Sequence, residues 1–183
     1  LAPLANRGFR DDTADDGKGG WTDQGDNDLR GMKGGAFALG GVSFSVLDPE
    51  KNSGKAAVVL RPAQAPAFLA EAAIPVDATC DYLYLLHAAA WAGAGTSVGS
   101  ISWEYGDGSV KSTPIVSGEQ VGDWWGGHAK NAFSKGYDEL NPSHKPVYLF
   151  VAGLANPSPE KPVRRVLLKC APPSTGSTGS PQA

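Results

Sequence analysis

Short apolar stretches separated by turn residues dominate this chain. Residues 42–47 alternate apolar and polar side chains, which is the period of a half-buried strand. Apolar or β-branched stretches of strand length also occupy residues 56–60, 80–91, 98–105, 109–116, 147–154 and 163–170, and Gly106-Asp107-Gly108 predicts a hairpin turn between two of them. The pattern therefore predicts at least seven strands in an all-β fold, an antiparallel β-sandwich.

Three segments depart from the strand pattern. Residues 65–73 are the one candidate helix, and the segment is short. Residues 5–35 and 117–145 are predicted to be long and irregular. Loops of this length in a compact domain are usually functional or held in place by something such as an ion.

Composition indicates one domain followed by a linker. The 183 residues are 41% apolar, which suits a single sizeable core, and 24 Gly and 14 Pro supply tight turns. Residues 171–183 contain mostly Pro, Ser, Thr and Gly, so we predict a sandwich module at residues 1–170 and a flexible linker behind it. A linker indicates a module cut from a longer protein, whereas a plain disordered tail is the alternative.

Charge and hydropathy exclude two classes of partner. The net charge is -3, and residues 1–30 hold seven Asp against four basic residues, while acids and bases balance in the rest of the chain. No basic field is available for a phosphate backbone, so we expect no nucleic-acid partner. No apolar run approaches the ~18 residues that span a bilayer, so we expect no membrane partner.

The aspartate-rich segment between residues 11 and 28 is a candidate calcium site. Its crowded carboxylates repel one another unless a hard cation or basic groups lie among them, and calcium takes six to eight oxygen ligands. An EF-hand loop beginning at Asp12 fails, since Ala14 occupies its third position. The alternative is a solvated acidic loop with Asp as turn formers. The candidate ligands are Asp12, Asp16, Asp23 and Asp28.

Aromatic residues beside polar ones provide candidate sugar contacts. The apolar face of a sugar ring stacks on an aromatic plane while neighbouring polar side chains bind its hydroxyls. Adjacent strand residues point in opposite directions, so one ring of Trp124-Trp125 should be exposed. The alternative is that the pair only closes the sandwich end and covers an edge. The candidate residues are Asp123, Trp124, Trp125, His128 and, second in rank, Trp21.

Other residues with chemical potential are given structural roles. Trp91 and Trp103 lie in apolar stretches and are predicted to be core, and His87 is predicted to be a satisfied buried histidine. Cys80 and Cys170 form no metal-binding pair, and the sequence leaves open whether they are joined. Residues 95–99 match G-x-S-x-G, but a strand follows where a serine-hydrolase elbow needs a helix. We therefore predict no catalytic site.

Several blocks together resemble a known family. The blocks that occur in this order are G-G-W-T-D-Q-G-D-N-D-L-R, G-G-V-S-F-S-V-L-D, L-Y-L-L-H-A-A-A-W, Y-G-D-G-S, D-W-W and N-P-S-P-E-K-P-V. They resemble the galactose-binding-domain-like modules of large bacterial polysaccharide-degrading enzymes. The resemblance implies a jelly roll, a calcium ion near the chain start and a sugar site in loops at one end or on a sheet face.

The expected function follows from that resemblance and from the aromatic residues. It is a non-catalytic carbohydrate-binding module that holds an attached catalytic domain on a polysaccharide or oligosaccharide. The expected location is secreted, outside a bacterial cell or at its surface. The alternatives are a ligand-free structural spacer and a small polysaccharide lyase or hydrolase.

Overall fold

A computed structural model describes residues 1–18, 20–61, 68–126, 129–130 and 132–172. Within them the chain forms nine strands and two short 3-10 turns, Ala2–Leu4 and Pro49–Lys51, with no α-helix and hence no helix able to cross a bilayer. The strands are β1 (Gly35–Leu39), β2 (Val42–Val46), β3 (Glu71–Ala78), β4 (Tyr82–His87), β5 (Ser97–Tyr105), β6 (Val110–Val116), β7 (Ala132–Leu140), β8 (Pro146–Ala155) and β9 (Val163–Cys170).

The strands form two main sheets and one hairpin. The four-stranded sheet has the order β3-β9-β5-β6, the three-stranded sheet has the order β4-β8-β7, and β1 pairs with β2 alone. All of these pairs are antiparallel. The predicted all-β antiparallel sandwich is therefore confirmed, whereas the arrangement does not confirm a jelly roll.

The main core lies between the two sheets. Ile101, Trp103 and Tyr105 alternate along β5, and each is at most 2% exposed. They pack in one cluster with Val166 of β9 and Leu154 of β8. The predicted burial of Trp103 is confirmed, because the two-residue period of a strand directs alternate side chains to the same face.

The three-stranded sheet is buried on its outer face as well. Val147 and Leu149 of β8 form a second cluster with Phe9, Leu29 and Met32, which come from the irregular residues 5–34. We call residues 5–34 the N-terminal layer. Leu29 N–H donates to the Phe9 carbonyl at 3.0 Å, which fixes this layer without a strand. Strand β8 therefore carries apolar side chains on both faces, as a central strand between two layers must.

Four local predictions of secondary structure are wrong. Residues 56–60 form only isolated bridges, at Ala57 and Leu60, and residues 71–73 of the proposed helix begin β3. The stretch 117–145 contains β7, and β1 was not predicted. The alanine-rich start of β3 has weak strand propensity, so its pairing with β9 decides its conformation. Residues 65–67 of the proposed helix and 173–183 of the proposed linker lie outside the described residues.

Both cysteines are free thiols. Burial raises the pKa of Cys80, to which the nearby charge of Asp81 adds, and burial alone raises the pKa of Cys170. Both thiols are therefore held in the protonated, unreactive form at neutral pH.

The N-terminal layer is expected to contribute to global stability. Phe9 is 7% exposed inside the second cluster, so Phe9→Ala should lower the free energy of unfolding by about 3 kcal/mol or more. Leu1→Ala is the control, because Leu1 is 62% exposed and its loss should change stability by less than about 0.5 kcal/mol. Urea unfolding measures both. Equal, small effects would mean that the layer unfolds independently of the sandwich.

Candidate functional site

Arg30 is the centre of the aspartate-rich segment. Its Nε donates to Asp28 Oδ2 at 2.7 Å, and its Nη2 donates to Asp26 Oδ1 at 2.8 Å and to the backbone carbonyl of Asp11. Burial lowers the pKa of Arg30, but the hydrogen bond to Asp28 and the charges of Asp28, Asp26 and Asp12 outweigh it and raise the pKa. A basic residue thus offsets part of the carboxylate repulsion, and the sequence analysis gave Arg30 no such role.

Three other carboxylates converge on one point. Asp11, Asp16 and Asp23 each offer one oxygen, and these oxygens lie within 4.8 Å of one another. Backbone amides already bind part of this group, since Gly25 N–H donates to Asp11 Oδ2 at 2.8 Å and Gly17 N–H donates to Asp23 Oδ2 at 3.0 Å. Asp23 Oδ1 is buried and has no donor among the described residues. A buried carboxylate oxygen without a donor requires water or a cation.

The donor set fits a hard cation such as calcium. All three groups are carboxylates, and the segment bends sharply around them, with Asp15, Asp23, Gly17 and Gly25 at φ angles of 59°, 60°, 73° and 60°. Calcium accepts oxygen ligands in irregular geometry and tolerates such a loop. Asp11, Asp16 and Asp23 are therefore the residues that could hold an ion.

The structure separates the four predicted ligands into two pairs. Asp16 and Asp23 belong to the converging group. Asp12 instead contacts Arg10 at 2.8 Å and Arg30 at 3.6 Å, and Asp28 is bound by Arg30 and by the Asp11 amide. Asp11, which was not a predicted ligand, is the third carboxylate of the converging group. Asp11 and Asp12 are adjacent in the sequence, so only the tertiary pairing of Asp12 with arginines distinguishes them.

The two adjacent tryptophans have different environments. Trp124 is 2% exposed, whereas Trp125 is 45% exposed. The expected exposure of one ring is thus confirmed, although the pair lies in a turn and not in a strand. Trp21 packs edge-on against Trp124 with ring centroids 5.1 Å apart, and Trp125 lies 5.7 Å from Trp124. The buried Trp124 ring therefore lies between Trp21 and the exposed Trp125.

The turn that carries Trp125 is held rigidly. The Trp124 amide donates to the Ala89 carbonyl at 2.9 Å, and the Trp124 carbonyl accepts from the Tyr148 amide at 2.9 Å. Asp123 Oδ1 accepts from the Trp125 backbone amide at 2.8 Å, so the carboxylate is fixed at the backbone of the residue that carries the exposed ring. Glycine is required at position 122, because a Cβ there would collide with the Phe150 ring. His128, the remaining predicted contact, lies outside the described residues.

A second exposed aromatic surface lies on β4. Tyr82 and Tyr84 are 54% and 45% exposed, with ring centroids 6.1 Å apart and planes inclined by 25°. They line an open groove of about 400 Å³ together with Gly153 of β8 and the β1–β2 hairpin, whose tip is Gly40-Gly41. Residues two apart in a strand share one face, so local sequence aligns the two tyrosines, whereas the hairpin side of the groove depends on tertiary packing.

Trp91 is exposed, contrary to the core prediction. It is 64% exposed, and its backbone is left-handed with φ of 57°. Strand β4 ends at His87, so the alternation that suggested burial does not continue to residue 91. The Arg61 guanidinium lies 5.2 Å from the Trp91 ring centroid. Sequence reasoning missed this contact, because Arg61 and Trp91 lie far apart along the chain.

Two features that could suggest an enzyme, His87 and the G-x-S-x-G match at residues 95–99, have structural explanations. His87 Nε2 lies 3.0 Å from the Gln120 carbonyl, and burial lowers the pKa of His87 to about 4, against a smaller opposing effect of that hydrogen bond. His87 is therefore a neutral, hydrogen-bonded histidine at pH 7. Ser97, the centre of the G-x-S-x-G match, begins β5 and has no helix behind it. It lacks the strand-turn-helix geometry of a nucleophile elbow.

Comparison with known proteins gives no match. No protein-family model matches the chain, and neither a curated protein nor a solved structure does.

Arg30 is expected to stabilise the buried charge of Asp28. Arg30→Ala should lower the free energy of unfolding by about 3 kcal/mol, because Asp28 is 1% exposed and would lose its counter-ion. Arg10→Ala is the matched control and should cost less than about 1 kcal/mol, since the Arg10 side chain is 70% exposed. Adding Asp28→Asn to Arg30→Ala should recover part of the loss in urea unfolding. No recovery would contradict the pairing.

Calcium is expected to stabilise the fold through Asp11, Asp16 and Asp23. A ligand bound only to the native state at about 100 times its Kd adds about 2.7 kcal/mol, so calcium should raise the Tm above that in chelator. Asp23→Asn should abolish the difference. Asp26→Asn, outside the converging group and 62% exposed, should preserve it. Identical melts of the unaltered protein with calcium and with chelator would refute a calcium site here.

Proposed function

We propose that this chain is a non-catalytic carbohydrate-binding module with a structural calcium ion. The observation that carries the proposal is the exposed Trp125 ring, two residues after Asp123, whose carboxylate accepts from the Trp125 backbone amide. This combination supplies the apolar plane and the polar acceptor that recognise a sugar ring.

The exposed Trp125 ring, the proposed sugar platform, rests on packed aromatic rings. Trp124 is buried beneath it and packs against Trp21, so Trp125 loses little conformational freedom when a sugar stacks on it. Asp123 Oδ1 is occupied by the Trp125 amide, whereas the described residues provide no donor for Oδ2. That oxygen is available to accept a sugar hydroxyl.

The proposed calcium would act on the platform indirectly. Asp11, Asp16 and Asp23 would hold the ion, and its positive charge would hold the carboxylates of the N-terminal layer together. Trp21 lies two residues before Asp23, and it contacts the buried Trp124. An ordered acidic loop therefore keeps Trp21 beneath the sugar platform.

The wider biological setting is part of the same proposal. The resemblance to galactose-binding-like modules favours a secreted bacterial protein whose attached catalytic domain is kept on its polysaccharide by this module. Such tethering raises the local concentration of the enzyme without any new catalytic group. A spacer role would instead require that the exposed rings bind nothing.

Removal of the Trp125 ring is expected to weaken sugar binding while leaving the fold intact. A panel of insoluble and arrayed glycans, including cellulose, xylan and galactan, first identifies a bound polysaccharide. Trp125→Ala should then cost about 1–3 kcal/mol of affinity, roughly a tenfold to hundredfold weakening. Val110→Ala is the control, because Val110 is 53% exposed and lies on β6, in the other sheet. Affinity electrophoresis and thermal melts measure binding and folding separately.

The same assay distinguishes the alternatives. If Trp125→Ala binds as well as the unaltered protein and Tyr82→Ala does not, the binding surface is the tyrosine groove of β4. If the unaltered protein retains no glycan of the panel, the carbohydrate-binding proposal is wrong and the spacer role is favoured.

A further inference from the structure

Two arginines and two aromatic rings form a cluster that neither the sandwich core nor the Trp125 platform uses. The guanidinium carbons of Arg7 and Arg61 each lie 4.2 Å from the centroid of the Phe68 ring. The Arg61 guanidinium also lies 5.2 Å from the Trp91 centroid. Two positive charges therefore share one aromatic ring, with Arg7 buried and Arg61 half-buried, in a chain whose net charge is -3.

The Arg61 guanidinium has no direct charged or hydrogen-bonding partner within the described part of the chain. No ion pair or side-chain hydrogen bond of Arg61 occurs there, and its Nη2 is buried without an acceptor. Burial and then the positive charge of Arg7 lower the pKa of Arg61, against an opposing effect of Asp23. An anion beside the guanidinium would relieve both unfavourable effects.

The stacked arrangement leaves Arg61 able to bind an anion. Contacts with aromatic rings use the flat face of a guanidinium, whereas its N–H donors lie along the edge. Because Nη2 is buried, the donors on Nε and Nη1 remain for an oxygen of a carboxylate or a sulfate, and such charge-assisted hydrogen bonds are the stronger ones in proteins. Phe68 and Trp91 thus orient the group without consuming its donors.

The conformation of Trp91 also needs an explanation beyond packing. A bulky residue at φ of 57° carries a backbone cost of about 1–3 kcal/mol. With 64% of its surface exposed, the ring recovers little of that cost by burial. The backbone instead presents an indole plane beside a guanidinium, which is a suitable pair of contacts for a charged sugar.

We propose that Arg61 and Trp91 form a subsite for an acidic sugar unit, in which the guanidinium binds a carboxylate or sulfate ester and the indole stacks on the ring. The inference rests on the proposed function and names its substrate class, an anionic glycan. Asp23, the acidic residue that opposes the charge of Arg61, is also one of the three carboxylates available to a cation. A bound cation would use that negative charge and leave Arg61 to an external anion.

Matched charged and neutral ligands test the subsite. Isothermal titration compares trigalacturonic acid with its methyl ester, and dextran sulfate with dextran, at one fixed calcium concentration. The unaltered protein should bind at least one anionic member about tenfold or more tightly than its neutral partner, and added salt should reduce that difference. A preference for trigalacturonic acid over its methyl ester identifies the anion as a carboxylate, and a preference for dextran sulfate over dextran identifies it as a sulfate.

Substitutions assign the preference to these two residues. Arg61→Gln should reduce anionic binding to the neutral level, and Arg61→Lys, which keeps the charge but not the fork, should restore only part of it. Trp91→Ala should weaken both members of the pair. Arg164→Gln removes the same charge from an exposed position on β9 and should change neither. Thermal melts confirm that each variant is folded.

The outcomes separate this inference from the proposed function. Equal binding of charged and neutral partners, or equal weakening of both by Arg61→Gln, would overturn the anionic subsite. If the protein still retained a neutral glycan, the carbohydrate-binding proposal would stand. Absence of binding to both pairs and to the whole glycan panel would overturn the two together.

Discussion

Burial of strand β8 on both faces is the constraint on which the rest of the structure depends. Val147 is fully buried on the outer face and Leu154 is 7% exposed on the inner face, so a two-layer sandwich would leave half of the strand in water. Each exposed apolar side chain of this size would forgo about 1.5–3 kcal/mol. The N-terminal layer provides the missing cover through Phe9, Leu29 and Met32.

A covering layer without regular hydrogen bonding needs other interactions to hold its backbone. Side chains supply them: Asp28 accepts from the Asp11 amide, Asp11 accepts from the Gly25 amide, and Arg30 joins both aspartates. The segment is also tied to the irregular stretch 56–60 by Asn6, which exchanges hydrogen bonds with Val59 at 2.8 and 2.9 Å. The aspartates are therefore structural in two senses, as backbone acceptors and as the candidate cation ligands.

The aromatic residues divide by the layer in which they lie. Trp103 and Tyr105 fill the space between the sheets, and the hydroxyl of Tyr105 donates to Asn156 at 2.6 Å. Trp124 fills the space beneath the N-terminal layer. Trp91 and Trp125 remain outside, each beside a charged side chain, and neither contributes the buried area that would explain a large ring. This contrast is the physical basis of the carbohydrate-binding proposal.

The sequence by itself determined the strand class, the buried β5 tryptophan and the division of the Trp124-Trp125 pair, because each depends on local periodicity or adjacency. It also located the aspartate-rich segment, since crowded carboxylates are visible in one dimension. Only the tertiary structure decided that Asp11 joins Asp16 and Asp23 while Asp12 and Asp28 contact arginines. It alone brought Arg61 to Trp91 and decided that the chain start covers β8. These contacts join residues distant in the chain, and their free energy depends on burial and pairing that no local pattern records.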